Sequence, residues 1–290
     1  MRENKFATFL DENFGETKWE ILSPKEPNWF FVAKDVGVEE EYLKYVKIAE
    51  VFPHYNSGVQ TGRDELSIQF EEATLRETIS DFRSKDTQEL SRKYNLKDTS
   101  GWKTEWAKKD ILQNEGKITK ILYRPFDIQY TYFTGKSGGF LKRPRTETMK
   151  EMLESNLGLI TSRQQVLSGF RHILVSNSII ESGAMSLKTK EWNYLFPLYL
   201  YPDKNESLFV GAVGNIPAAR QPNISLTIGR EIAEKIGRVY YPVAEYQTKD
   251  GDIRLTPEEI FYYAYAIFHS PTYRSRYAEQ LKIDFPRLPL

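Results

Sequence analysis

Ile121-Leu-Tyr-Arg-Pro-Phe-Asp-Ile-Gln-Tyr-Thr-Tyr-Phe133 is the stretch on which the fold turns. It is dense in aromatic and β-branched residues, and its alternation predicts one or two strands, with Pro125 at an edge or a bend because proline has no N–H to give a ladder. Tyr123, Phe126, Tyr130 and Tyr132 read as core or strand-face aromatics, and Arg124 and Asp127 are spaced to pair with one another. Upstream, the polar stretch Glu72–Tyr94 carries sparse apolar positions (Ile79, Phe82, Leu90, Tyr94), which predict a surface helix or helix pair; Asn114-Glu-Gly116 ends that region. Nearer the start, Trp19-Glu-Ile-Leu22 and Trp29-Phe-Phe-Val32 read as short strands punctuated by Ser23-Pro24 and Pro27.

Downstream, Thr134-Gly-Lys-Ser-Gly-Gly139 is a loop, and Met149, Met152 and Leu153 fall at helical spacing behind an expected Thr148-x-x-Glu151 capping box. Strands are expected at Leu157–Thr161, His172–Val175 and Tyr194–Tyr201, then a long connection over Asp203–Asn223. A helix over Leu226–Ile236 should stop at Gly237. Thr256-Pro-Glu-Glu259 combines a cap, a first-turn proline and a glutamate at the third helical position, and launches the apolar run Ile260–Phe268. Ser270-Pro271 stops that helix and caps another through Leu281. The class is mixed α and β (α+β): a short mixed sheet with flanking helices and a C-terminal helical segment. The expected division is a domain over residues 1–205 followed by a linker and packed helical segment over 206–290, with a single domain 1–290 as the alternative.

Composition narrows the function. The chain has 290 residues, 40% apolar and 28% charged, with 40 basic and 40 acidic side chains. Zero net charge argues against a protein that coats nucleic acid indiscriminately. Charge is uneven, however: Lys120–His172 holds nine Lys/Arg against four acids, a local +5. With no cysteine there is no disulfide, thiol catalysis or cysteine-based zinc site, which fits the cytoplasm. No apolar run approaches a membrane span, so no membrane partner is expected. Met1-Arg-Glu-Asn-Lys has no apolar stretch behind it that would mark a secretory signal.

Catalytic signatures are missing. An amino-methyltransferase needs an Asn/Asp-Pro-Pro-aromatic loop to grip the amino group of a flipped base, and the chain has none. A G-x-G cofactor loop after a strand is absent. Thr134-Gly-Lys-Ser137 imitates the tail of a phosphate-binding P-loop, but the glycine required five residues before Gly135 is Tyr130. His54, His172 and His269 lie far apart without ligand-spaced neighbours and read as packing residues. Pro202-Asp203 is not followed by the Glu-x-Lys of a nuclease site, and Glu258-Glu259 are explained by helix capping.

Six further segments carry a family resemblance: Ser57-Gly-Val-Gln-Thr-Gly-Arg-Asp64, Leu122–Phe133, Leu159-Ile-Thr-Ser-Arg-Gln164, Phe196-Pro-Leu-Tyr-Leu-Tyr201, Pro222-Asn-Ile224, and Tyr265–Tyr277 with Lys282-Ile-Asp-Phe-Pro-Arg287. In this order they resemble the C-terminal specificity domain of Type ISP restriction–modification enzymes and related adenine-specific DNA methyltransferases. In that family one polypeptide joins nuclease, helicase-like motor, adenine-N6 methyltransferase and target-recognition domain. The resemblance implies a target-recognition-domain-like fold and a part in bacterial defence. It implies double-stranded DNA and a methyltransferase domain or subunit as partners. The isolated chain is expected to catalyse nothing and to hold no cofactor, since S-adenosylmethionine, ATP and Mg²⁺ would belong to the missing domains. The chain is then either an excised domain or a stand-alone subunit. The runner-up is a protein-interaction module without DNA binding.

Under this resemblance the candidate DNA-binding residues are Lys136, Lys142, Arg143, Arg145, Arg163, Gln164, Gln165 and Arg171. Arginine can bond guanine O6 and N7 bidentately, and glutamine adenine N6 and N7. Arg163-Gln164-Gln165 offers both directly after a strand, although Arg163 also suits a structural salt bridge. Lys142-Arg143-Pro-Arg145 follows a glycine-rich loop and suits a phosphate backbone, or else a solvated face. Segments shared by enzymes that read different sites cannot encode one specificity. Base readers are therefore expected beside them, in Gly135–Arg145, Gln165–Arg171 and Ile180–Asn193.

Overall fold

The computed structural model describes residues 36–166, 169–188, 191–202, 220–242 and 253–290, with Ile21, Leu22 and Pro24. The strands expected around Trp19 and Trp29 and the connection expected over Asp203–Asn223 fall wholly or largely outside these residues. The chain divides into two units, Met1–Glu41 and Tyr42–Leu290, and the second carries all the described strands.

In chain order the strands are β1 (Val46–Lys47), β2 (Asn56–Ser57), β3 (Lys117–Arg124), β4 (Asp127–Phe133), β5 (Gly158–Ser162), β6 (Ile173–Ser176) and β7 (Ile179–Ile180). They continue with β8 (Asn193–Pro197), β9 (Tyr199–Leu200), β10 (Gln221–Pro222), β11 (Val239–Tyr240), β12 (Arg254–Leu255) and β13 (Arg287–Leu288). The largest sheet has the order β2-β8-β5-β6, all antiparallel. Every residue of β5 is buried, with Leu159 opposite Phe196 on one side and Val175 on the other. The expected class, α+β with short sheets and flanking helices, is the one observed.

The Ile121–Phe133 stretch forms two strands of a second sheet, β4-β3-β7, in which β7 runs parallel to β3. Pro125 and Phe126 make the hairpin turn, and Phe126 sits at φ +65, in the left-handed region that side chains other than glycine rarely enter. Two expectations change here. Phe126 is 89% exposed at the hairpin tip and belongs to no core, whereas Tyr132 is buried. Arg124 stands opposite Asp127 in the backbone register, yet its guanidinium turns to Glu181 (2.8 Å) and Asp64 (3.7 Å) and lies 3.7 Å from the Tyr123 ring centre. Glu181 is buried, so its carboxylate gains more from a partner than the better-solvated Asp127, which accepts from Gln129 Nε2 at 2.9 Å.

The polar stretch after Glu72 is a helix pair, Glu72–Ser84 and Thr87–Lys93, held together by Asp81. The Asp81 carboxylate meets Lys85 at 2.6 Å and accepts from the Tyr94 hydroxyl at 2.8 Å, and hydrogen bonds from Lys85 and Lys93 hold its pKa below the usual carboxylate range. A further helix, Thr104–Gln113, has no counterpart in the sequence reading: its N-cap, Lys103, makes no side-chain cap, and Asp98, six residues before Thr104, bonds the Thr104 N–H (2.9 Å) instead. The Thr148 capping box does not form. The helix there is Thr146–Met149 and runs into a 3₁₀ turn over Lys150–Leu153, so Thr148 lies inside it and bonds His54 Nε2 at 3.1 Å. Glu151 accepts from the Tyr201 N–H at 2.6 Å.

The C-terminal segment is stapled to the main sheet. Thr256 and Glu259 form the expected capping box at the start of helix Pro257–His269, and Ser270 caps Pro271–Arg276. Beyond them β13 pairs antiparallel with β1. Phe285 sets its ring edge-on against Tyr55, Tyr194 and Phe196 at 5.4, 5.0 and 5.5 Å between centres.

The loop between β4 and Thr146 is shaped by one acid. Asp110, buried on the Thr104–Gln113 helix, accepts from the Phe140 N–H (2.8 Å), the Thr134 hydroxyl (2.9 Å) and Asn114 Nδ2 (2.9 Å). Gly139 has to be glycine, because a Cβ there would overlap the Asp110 carboxylate. Gly135 and Gly138 turn the chain at φ +78 and +71. The far limb is laced to the segment after β2: Lys142 N–H donates to Thr61 O (3.0 Å), Arg143 N–H to Gln60 O (2.9 Å), and Gln60 N–H back to Arg143 O (3.0 Å).

Two outcomes follow from these contacts. Replacing Thr256 with Ala removes an N-cap and should cost ~1 kcal/mol, measured as a lower urea midpoint at unchanged slope. Replacing Asp110 with Ala leaves the buried Phe140 N–H without an acceptor and should cost about 1–3 kcal/mol in the same titration.

Candidate nucleic-acid interface

Pinned at both limbs, the loop turns its cations to one side. Lys142, Arg143 and Arg145 line a single open cleft of about 540 Å³ together with Asn56, Gly135, Ser137, Thr146 and Glu147. Arg145 adopts φ +55, a left-handed conformation that costs an arginine energy and is kept because the flanking hydrogen bonds fix the chain. The Lys142 side chain lies beside Gly101, which has no side chain to block it, and Arg143 is exposed. Lys136 is exposed on the same loop but does not line the cleft. Among the described residues no carboxylate lies within salt-bridge distance of Lys136, Lys142, Arg143 or Arg145. Glu147 is the only acid among these lining residues, against three cations, so the partly enclosed site carries net positive charge and attracts anions, because the protein wall screens it less than water would.

The other four candidates sit on the loop from β5 to β6. Gln164 and Arg171 are exposed. Arg163 is 62% exposed and joins Asp284 at 3.1 Å, so the salt bridge foreseen as its alternative role is present. Gln165 is only 8% exposed; its N–H donates to Lys282 O (3.2 Å), and among the described residues its side-chain nitrogen has no partner. The structure thus gathers Lys142, Arg143 and Arg145 into one site, and sets Arg163 and Gln165 against the C-terminal segment.

Ser137, in the Gly135–Arg145 stretch expected to read bases, also lines the basic cleft; Asn56 and Thr146 line it too but escaped the sequence reading, as did Asp110, which holds the loop. Nothing local marks them: each is a common polar residue whose place depends on partners far along the chain. The histidines are structural. His54 Nε2 lies 3.1 Å from Glu147 O, His172 pairs with Glu191 at 3.1 Å, and His269 meets Arg274 at 3.0 Å. Among the described residues no group of acids and histidines could hold a metal ion, and no helix is long and apolar enough to cross a membrane.

Comparison with known proteins finds similar folds in much larger chains. The structure of DrdV in a complex with DNA matches with a TM-score of 0.61 at 19% identity, covering 99% of this chain and 27% of that one. A nuclease-deletion mutant of the Type ISP restriction–modification enzyme LlaGI, in complex with a DNA substrate mimic, matches at 0.57 and 21%, covering 100% and 25%. The ATP-dependent Type ISP enzyme LlaBIII bound to DNA matches at 0.57 and 19%, covering 92% and 16%. The chain therefore spans about a quarter or less of the length of these proteins. None of the curated proteins compared with it matches. The model of the Type ISP C-terminal specificity domain matches residues 50–290, and the chain belongs to that family.

Proposed function

We propose that this domain recognises double-stranded DNA on behalf of a Type ISP restriction–modification enzyme, directing an adenine-N6 methyltransferase domain or subunit to its site. The observation that carries the proposal is the cleft of Lys142, Arg143 and Arg145, three cations without a described acidic partner in a chain of zero net charge. Such a site suits the phosphate backbone of one duplex, and a neutral protein does not coat nucleic acid by charge alone. In this reading Lys136 adds a more distant backbone contact. The β5–β6 loop presents Arg163, Gln164 and Arg171 to base edges, where arginine suits guanine and glutamine suits adenine. Gln165, buried beneath them, supports the loop. Methyl transfer, cleavage and translocation, with S-adenosylmethionine, ATP and Mg²⁺, belong to other domains of the enzyme.

Two measurements test this. Arg143→Ala and Arg145→Ala should weaken binding to specific and random duplexes alike and flatten the log–log salt dependence by about one unit each. A protein-interaction module would show no salt-dependent DNA binding in the same titration. The purified chain, given DNA with labelled S-adenosylmethionine or with Mg²⁺, should neither methylate nor cut above background; activity in either assay overturns the non-catalytic assignment.

A further inference from the structure

Glu191 stands where two loops meet. One runs from β5 to β6 (residues 163–172) and the other from β7 to β8 (residues 181–192). Its side chain is fully buried, and its two oxygens draw partners from both loops. Oε1 accepts from the Val166 N–H, in the first loop. Oε2 lies 3.1 Å from Nε2 of the buried His172, at the end of that loop, and accepts from the Ser186 hydroxyl in the second. The second loop is closed on itself around the same point: Glu191 N–H donates to Lys188 O (2.9 Å), Asn193 Nδ2 to Glu191 O (3.0 Å), and Met185 N–H to Asn193 Oδ1 (2.6 Å).

A carboxyl group without access to water is stable only while its oxygens are occupied. If the first loop moves away, Glu191 loses the Val166 N–H and the His172 ring from its oxygens. Both loops carry exposed side chains, donors and apolar groups together: Gln164 and Arg171 in the first, and Leu187, Lys188 and the 41%-exposed Trp192 in the second. That mixture matches the edge of a base pair in the major groove, which offers acceptors and, at thymine, a methyl group.

We infer that Glu191 joins the two loops into a single surface that reads base edges, and that it acts as a positioning residue for sequence discrimination. The inference rests on the DNA-recognition role proposed above. It assigns the reading to this paired surface and the backbone contacts to the Lys142–Arg145 cleft. A reading surface built from two loops loses its register when either shifts, because bidentate contacts to bases tolerate little displacement.

The experiment has two arms, both on the full chain. In the first, backbone hydrogen exchange compares the unsubstituted protein with Glu191→Ala and Glu191→Gln. Glu191→Ala should speed exchange in both loops, at Val166 as well as around Ser186, and leave Ile160 and Thr161 of β5 unchanged. Glu191→Gln, which keeps an acceptor and the side-chain length, should restore protection. Faster exchange confined to the second loop overturns the inference. In the second arm, duplexes are selected from a random-sequence pool. Glu191→Ala should keep its affinity for random DNA within about twofold, since the phosphate contacts are untouched. It should lose at least about tenfold in enrichment of the preferred sequence, the scale of one lost base contact, with recovery in Glu191→Gln. Equal enrichment by Glu191→Ala and the unsubstituted chain overturns the inference. A pool from which the unsubstituted chain enriches nothing sinks the DNA-recognition reading instead, while hydrogen exchange still decides the coupling. Should Glu191→Ala not fold, His172→Phe removes a tie between the loops while keeping the acid and filling the space, and is judged by the same outcomes.

Discussion

A carboxylate shut away from water holds its place only while donors surround it, and at Asp110 two of those donors come from the start and the middle of one loop. Thr134 supplies a hydroxyl from the end of β4, and Phe140 supplies an N–H five residues beyond the turn at Gly135. The acid is carried by a helix whose Ala107 and Ile111 are buried in the core, so the loop inherits the rigidity of that core. Gly139 is what lets the chain pass this close. With one limb fixed on Asp110 and the other on Gln60 and Thr61, the backbone at Arg145 is forced into a left-handed turn, and the cations come to face one cleft. Left on a flexible loop, the same charges would spread apart by mutual repulsion.

The basic residues of this region divide by what lies under them. Arg124 stands beside Glu181, an acid that the fold has already placed, and its charge is spent within the molecule, whereas the 62%-exposed Arg163 shares its charge with Asp284. Lys142 lies against Gly101, and among the described residues Lys142, Arg143 and Arg145 form no salt bridge, although Glu147 lines the same cleft. A count of charges along the chain treats both groups alike. The difference matters for function because only a cation without an internal partner contributes its full field to an incoming phosphate.

Buried acids recur as the means by which separate segments are held to one another. Asp81 ties two helices through Lys93 and Tyr94, Glu181 binds the β3 end through Arg124, and Glu191 gathers two loops. Each reaches beyond its own element, and each lies near an irregular segment that a hydrophobic contact alone would fix less sharply in direction. The aromatic contacts of Phe285 with Tyr55, Tyr194 and Phe196 do the complementary work, supplying area where direction matters less.

The sequence by itself determined what depends on near neighbours. Alternation and proline set the β3–β4 pair; the Thr256-Pro-Glu-Glu259 signal set the last long helix; and ordered motifs across the chain set the family. It also determined the basic cluster as a stretch of chain. Tertiary structure alone decided which members of that cluster converge, that Gln165 is buried, that Phe126 is exposed, and that Arg124 leaves Asp127 for Glu181. It likewise decided that Thr148 lies inside a helix instead of capping it, and that Thr104–Gln113 is started by an acid six residues away. The physical reason is the same throughout. Caps, turns and alternation are settled by hydrogen bonds and dihedrals within a few residues, whereas the direction of a side chain is settled by burial and by partners that only folding brings near: 57 residues for Arg124 and Glu181, 25 for Glu191 and Val166.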